Sequence, residues 1–370
     1  MTHQHTLLVR KDRLSDTTQQ TVLAPTLENL APGQVLMEVD RFSLTSNNIT
    51  YAALGERLDY WSFFPAPEGM GIVPVWGFAN VISSKCNGIV VGERFYGYYP
   101  MGTHLVVEPK RVRDSSFVDG ASHRSHLSLI YNQYLKCSED PLYTPDTEAL
   151  QMLLRPLFTT SFLLDDFFLD NAFFGAHQLI LTSASSKTAL GMAFLLADNR
   201  AARDHQYQII GLTSPGNHAF VESLGCYDKV VTYESLDDIG VEVSSAIVDF
   251  AGNGRLLGEL HRQLGNQLHY SCLVGLSHWD QRDGLPKELA GPRPIMFFAP
   301  GRAEKRIADW GGARLQAEVA RLWEAFLAFA QHKVNIQYRE GPEAVNEIYQ
   351  LLLSGDFDPQ AGYILRMQPE

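Results

Sequence analysis

The sequence predicts an α/β protein: a β-rich, barrel-like domain with an inserted, doubly wound parallel sheet of six strands. Three observations predict it. Short strands bounded by glycine and proline fill residues 1 to about 110. From His177 onward, apolar strands alternate with helical stretches, the pattern of a parallel sheet covered on both faces. After residue 333 a tail returns to mixed strand and helix, suited to rejoin the first domain. The expected division is 1–150 with 334–370 for the β-rich domain and 151–333 for the inserted one.

In chain order, the expected N-terminal strands are 6–9, 34–42, 71–83, 93–99 and 102–107. Residues 114–150 are polar, lack a strong period and read as a long excursion. Helical character runs from Thr147 to about Asn171. The apolar run from Phe158 to Phe174 is broken by Asp165, Asp166 and Asp170, which suits a buried helix and not a membrane span. Inserted strands are expected at 178–182, 207–212, 229–232, 246–250, 269–274 and 294–298, with helices at 188–198, 217–224 and 254–264. A long amphipathic helix over 313–332 precedes the tail, read as strand 335–338, helix 342–353 and strand 362–366. Six such strands complete two mononucleotide-binding halves.

Composition narrows the function. Of 370 residues, 45% are hydrophobic and 19% charged, as in a globular enzyme. The formal net charge of −12 and the lack of a Lys/Arg-rich run disfavour nucleic-acid or anionic-membrane surfaces. The polar start Met1-Thr-His-Gln-His-Thr has no apolar signal core, so a cytoplasmic protein is expected. Cys86, Cys137, Cys226 and Cys272 form no C-x-x-C pair, which suggests reduced thiols and neither a disulfide framework nor a zinc site. His123 and His126 lack a third ligand at convincing spacing and read as a solvated loop, so no metal is expected.

The stretch Leu179 to Gly191 carries the chemistry: an apolar strand, a small-residue turn, then a helix. The first amides of a helix lack internal partners and its dipole attracts anions, so Ser183, Ala184, Ser185 and Ser186 suit the approach of a pyrophosphate. The turn does not spell G-x-G-x-x-G. The spacing of a phosphate-binding P-loop and the G-x-S-x-G elbow of a serine hydrolase are also missing.

Several segments resemble the medium-chain dehydrogenase/reductase superfamily, nearest its zinc-free quinone and enoyl reductases. Thr45-Ser-Asn-Asn-Ile-Thr-Tyr-Ala-Ala-Leu-Gly55 resembles the N-x-x-D…G loop bordering the nicotinamide, and Val91-Gly-Glu-Arg-Phe-Tyr-Gly97 resembles the V-G-D-R-V-x-G turn. Thr159-Thr-Ser-Phe-Leu-Leu164 resembles the helix start near the cofactor, and Thr182 to Gly191 the glycine-rich turn. Ile210 to Gly225 and Val230-Val-Thr-Tyr233 resemble the following strand, helix and strand. The departures are Ser186, Lys187 and Ala189 in place of glycines, Asn48 in place of the loop acid, and Val75–Asn80 where the zinc branch has G-H-E. They mark a divergent branch.

The resemblance implies a GroES-like domain plus a Rossmann domain, NADP(H) as cofactor, a small-molecule substrate and a homodimer. The expected reaction is zinc-independent hydride delivery to a conjugated carbonyl, quinone or enoyl compound. A non-catalytic NADP(H)-binding redox sensor or partner module is the alternative. Asn48 and Tyr51 are carried over as nicotinamide- or substrate-side groups, and Thr160 as a cofactor neighbour. Tyr51 and Tyr60 are candidate proton donors or pocket walls, though Tyr51 is equally readable as a core tyrosine. Lys187 and Thr188 open the helix, where a cation is unfavourable unless an anion compensates it. The second inserted strand ends without the acid that holds a ribose 2′-hydroxyl, which favours NADPH. Thr213, Ser214, Asn217, His218 and Tyr233 are then the candidate 2′-phosphate environment. Gly252 and Gly275 follow strand ends, where open α/β sheets bind ligands, and read equally as turn glycines.

Overall fold

A computed structural model describes residues 3–250, 252–275 and 288–368. The chain divides into two compact units, Met1–Leu153 with Val334–Glu370, and Leu154–Lys333.

In the first unit the strand Val35–Leu44 is the hub, buried along most of its length. It pairs antiparallel with Pro74–Ser84, with His104–Val107 and, from the tail, with Ala361–Arg366. The sheet continues through Arg94–Pro100, Gln133–Lys136 and Ser116–Asp119 to Pro109–Lys110. At its other end Asn335–Glu340 lies parallel to Ala361–Arg366. The two outermost strands do not pair among the described residues, so the sheet is open where a barrel was expected to close. His3–Arg10 forms a smaller sheet with Arg13–Leu23 and Met70–Gly71.

The expected excursion over 114–150 is a structured extension of the main sheet. Its strands are four residues long and carry Ser, Asp, Gln and Lys, so they give no apolar alternation. A polar anchor holds them. Arg124 is fully buried and donates to Asn132 Oδ1 (2.6 Å), Asp119 Oδ2 (3.3 Å), Tyr134 Oη (3.2 Å) and the Tyr131 carbonyl (2.9 Å). A buried charge persists only when it is paired and hydrogen-bonded, and here it is both.

The helix Glu148–Asp170 starts well before Thr159, so Thr159, Thr160 and Ser161 lie in its interior and not at a helix start. Pro156 lacks an N–H and cannot bond the Met152 carbonyl one turn back. Ser43 Oγ donates to that carbonyl instead, at 2.7 Å.

In the second unit six strands run parallel in the spatial order Lys229–Thr232, Gln208–Thr213, Gln178–Leu181, Ser245–Asp249, Leu268–Leu273, Ile295–Met296. This is the 3-2-1-4-5-6 order of a doubly wound dinucleotide-binding sheet. Its first and fourth strands are buried along their whole length. Helix Gly254–Leu264 covers it with Leu256, Leu257, Leu260 and Leu264.

A further helix, Ala299–Trp310, has no counterpart among the expected elements. Its Arg302 and Arg306 are buried and pair with Asp166 and Asp170 of the long helix. The carboxylates that interrupt the apolar run therefore dock a second helix.

Candidate functional site

The strand Gln178–Leu181 ends at the point where strand order reverses, beside Ser245–Asp249 on one flank and Gln208–Thr213 on the other. Ligands bind such sheets at the carboxyl ends of the strands flanking this point. Thr182 Oγ1 is buried and donates to Asp249 Oδ1 at 2.5 Å, while accepting from Phe250 N at 3.0 Å. Asp249 Oδ2 accepts from Gly252 N at 3.1 Å. Asp249 was not among the sequence candidates; an acid closing an apolar strand just before a glycine is the signal that marks it.

The turn itself is tightly held. Ser183 takes a left-handed conformation, φ +46°, unusual without glycine. Its amide donates to Tyr233 Oη at 3.2 Å. Ala184 N donates to Leu212 O, and Tyr227 Oη to Ala184 O, both at 2.9 Å. Gly211 leaves room for this, because a Cβ there would lie 3.0 Å from that of Ala184. Ser186 caps the helix Lys187–Asn199, its Oγ accepting from Ala189 N at 3.3 Å. Ser185, Ser186, Lys187 and Thr188 are half-buried around the helix N-terminus. Ser161, also unmarked in the sequence, lies 2.8 Å from the Thr188 carbonyl; it forces glycine at 191, where a Cβ would come within 2.7 Å of its hydroxyl.

Of the second-strand candidates, Thr213 is the most telling. It is buried, and its hydroxyl has no hydrogen-bond partner. Asn217 Nδ2 donates to Ser185 Oγ at 3.3 Å, which brings it to the turn, and half-buried Ser214 opens the short segment between them. His218 turns to Glu222 on its own helix, 3.4 Å away. Thr160 bonds back to the Pro156 carbonyl within its helix. Gly252 has φ +72°, and a Cβ on Gly275 would sit 2.2 Å from the Phe250 carbonyl oxygen, so backbone geometry alone demands both glycines.

A nucleotide fits this set of groups. Small residues and a capped helix N-terminus offer an anion site. Lys187 begins that helix, and the orphaned Thr213 hydroxyl stands at the end of the adjacent strand.

In the first unit, Asn48 is committed to the loop. Its Oδ1 accepts from Thr45 N (2.8 Å) and its Nδ2 donates to the Pro74 carbonyl (2.9 Å), closing the start of helix Ser46–Ala53. Tyr51 and Tyr60 are buried with ring centroids 4.5 Å apart, and Tyr60 Oη lies 3.2 Å from Tyr131 Oη. Burial pushes both tyrosine hydroxyls above their usual range, keeping them protonated. Trp61 is wedged between Gly55 and Gly71, neither of which has room for a Cβ. His123 bonds the Phe63 carbonyl and His126 pairs with Asp59. No three His, Cys, Asp or Glu groups placed to hold a metal occur among the described residues.

The fold is that of the medium-chain dehydrogenase/reductases. CurA from Vibrio vulnificus in complex with NADPH is 14% identical with a TM-score of 0.60, over 100% of both chains. The yhdH oxidoreductase from Salmonella enterica in complex with NADP is 14% identical, TM-score 0.54, over 99% of this chain and 100% of that one. The mitochondrial 2-enoyl thioester reductase Etr1p/Etr2p heterodimer from Candida tropicalis is 12% identical, TM-score 0.54, with the same coverage. At these identities the likeness is one of fold. The chain belongs to the family DUF2855, described as a protein of unknown function, whose model matches residues 42–358. No curated protein matches it.

Proposed function

We propose that this chain is an NADP(H)-dependent oxidoreductase acting on a conjugated carbonyl, quinone or enoyl compound without zinc. The observation that carries the reading is the turn at 183–186, set at the switch point of a 3-2-1-4-5-6 sheet and leading into a capped helix. The solved structures of the same fold that hold NADPH or NADP support it. In this reading Ser185, Ser186, Lys187 and Thr188 meet the pyrophosphate. Thr213, Ser214 and Asn217 surround the ribose and its 2′-phosphate, and Tyr233 braces the turn. Bound NADPH supplies the hydride. Tyr51 and Tyr60, kept neutral by burial, polarise the acceptor oxygen and stand ready to donate a proton. Two copies assemble as a homodimer in the cytoplasm.

One observation favours a second reading, a nucleotide-binding module without turnover: the Asn48 carboxamide, at the position of the family's loop acid, is taken up by its own loop. Calorimetric titration with NADPH and NADH decides first. NADPH binding tighter than NADH, weakened about tenfold by Lys187→Ala through loss of one charge-assisted contact, is the expected result. Binding without turnover on any quinone or enone selects the module, and binding of neither nucleotide refutes both readings.

A further inference from the structure

The extension contributes one ring to a group of three phenols in the first unit. Tyr51 comes from helix Ser46–Ala53, Tyr60 from the segment that follows it, and Tyr131 from the short helix Leu129–Asn132 of the extension. Ring centroids lie 4.5 Å apart for Tyr51–Tyr60, 5.8 Å for Tyr60–Tyr131 and 6.4 Å for Tyr51–Tyr131. Tyr131 is held from its backbone. Its carbonyl accepts from Arg124 Nη2 at 2.9 Å, and the buried Arg124 is fixed in turn by Asn132, Asp119 and Tyr134.

The hydroxyls of these rings form one chain. Tyr60 Oη lies 3.2 Å from Tyr131 Oη, and either oxygen can donate. The Tyr131 hydroxyl is also hydrogen-bonded with that of Tyr51, which has further side-chain hydrogen bonds with Trp76, Asn47 and Tyr98. Burial holds all three phenols above their usual range, so each is a neutral O–H able to donate and accept at once. Tyr51 and Tyr60 are buried, whereas Tyr131 is half-buried and reaches solvent. Packing alone does not call for hydroxyls in series, because phenylalanine fills the same space with no polar atom to satisfy.

We infer that Tyr131 is a proton-relay residue: it refills the Tyr51 hydroxyl after that group has given its proton to the acceptor oxygen, and it draws the replacement from solvent. The inference rests on the oxidoreductase reading with Tyr51 as the donor, and it gives the extension a part in that reaction. Reduction of a conjugated carbonyl takes up one hydride and one proton. The hydride brings the electron pair and leaves an oxyanion on the acceptor. The Tyr51 O–H bond then breaks as an O–H bond forms on the acceptor. The Tyr51 phenolate takes the proton of Tyr131, and Tyr131 takes one from water, so the protein ends unchanged. One anion resides in the chain at a time, since an ionised Tyr60 or Tyr51 opposes ionisation of Tyr131.

The test is steady-state oxidation of NADPH by the full-length protein, with 1,4-naphthoquinone and separately with crotonyl-CoA, in water and in heavy water. Tyr131→Phe keeps the ring and removes the hydroxyl. With whichever acceptor is turned over, it is expected to lower kcat about tenfold, less than the roughly hundredfold or greater loss from removing a general acid itself. KM should stay within about twofold, and the solvent deuterium isotope effect on kcat should grow, because reprotonation becomes the slow step. A second variant carries 3,5-difluorotyrosine in place of Tyr131, which keeps ring and hydroxyl and makes the phenol more acidic. It should move the alkaline limb of the kcat–pH profile to lower pH. A wild-type kcat in Tyr131→Phe, a lowered kcat with an unchanged isotope effect, or an unmoved pH profile in the fluorinated protein overturns the inference and leaves Tyr131 a packing role. Any of these in a protein that oxidises NADPH counts against the relay alone. No NADPH oxidation by the wild type with either acceptor counts against the oxidoreductase reading, and the relay falls with it.

Discussion

Thr182 Oγ1 donates to Asp249 Oδ1 at 2.5 Å, joining the ends of the two parallel strands between which the strand order of the sheet reverses. One hydroxyl thereby serves two buried groups, because it also accepts from Phe250 N at 3.0 Å. Thr182→Val keeps the shape and removes both bonds. Losing the two bonds should cost about 1–3 kcal/mol, the amide of Phe250 giving up its acceptor. Thermal unfolding should show a fall of roughly 2–4 °C per kcal/mol for a domain of this size. A variant that melts with the wild type would show that the bond contributes nothing.

Thr213 gives a prediction with two signs. Its buried hydroxyl has no partner, so Thr213→Val removes an unsatisfied group and should stabilise the nucleotide-free protein by about 1 kcal/mol. If the hydroxyl meets a ribose or 2′-phosphate, the same substitution weakens NADPH by about five- to tenfold, read by calorimetry. Stabilisation with unchanged affinity would remove Thr213 from the nucleotide site.

Ser183 holds φ +46°, a conformation costing an L-residue roughly 1–2 kcal/mol. Ser183→Gly should therefore raise the melting temperature or leave it unchanged. Its amide keeps the bond to Tyr233 Oη, so NADPH affinity should stay within about twofold. Ser183→Val, branched at Cβ, should destabilise by more than about 1 kcal/mol at the same position. Equal stability of the glycine and valine variants would contradict the left-handed turn.

What the sequence made legible was local. Helix Gly254–Leu264 was read to the residue because its punctuation lies within it: Asn253 caps Leu256 N, and Gly265 takes φ +52° after the last turn. The parallel strands were equally plain, since strands buried on both faces are continuous apolar runs. The phosphate-turn candidates from Ser183 to Thr188 lie together for the same reason, being consecutive in the chain.

What stayed hidden depends on distant partners. Asp249 gains its meaning from Thr182, and Arg302 and Arg306 gain theirs from Asp166, more than a hundred residues earlier. The extension at 116–136 is organised by one buried arginine, which by composition reads as solvated. Tyr60 meets Tyr131, some seventy residues later, which carried no sequence signal. Trp61 packs where Gly55 and Gly71 leave no room for a Cβ, a fit that no local pattern of the sequence announces.

The helix-docking network gives the last prediction, a pH dependence. Asp170 accepts from Arg302 Nη1 at 2.9 Å and pairs with Arg306 Nη2 at 3.0 Å. These bonds to Arg302 and Arg306 hold its carboxyl below the ordinary value of 3.8. The folded pKa is thus lower than the unfolded one, and the contribution is fully present above about 3.8 and fades as pH falls through the folded value. Asp170 is 36% exposed, so solvent screening limits the effect at pH 7 to about 1 kcal/mol or less. Buried Asp165 behaves oppositely. Desolvation raises its pKa against the pull of Arg203, so its contribution is greatest in acid and declines as pH rises through the folded value. Asp170→Asn should therefore melt slightly below the wild type at pH 7 and converge with it as the pH drops under 3.8. The two melting curves, followed by circular dichroism across that range, check the sign; a difference that stays constant or widens in acid would assign the effect of Asp170 to packing and not to its charge.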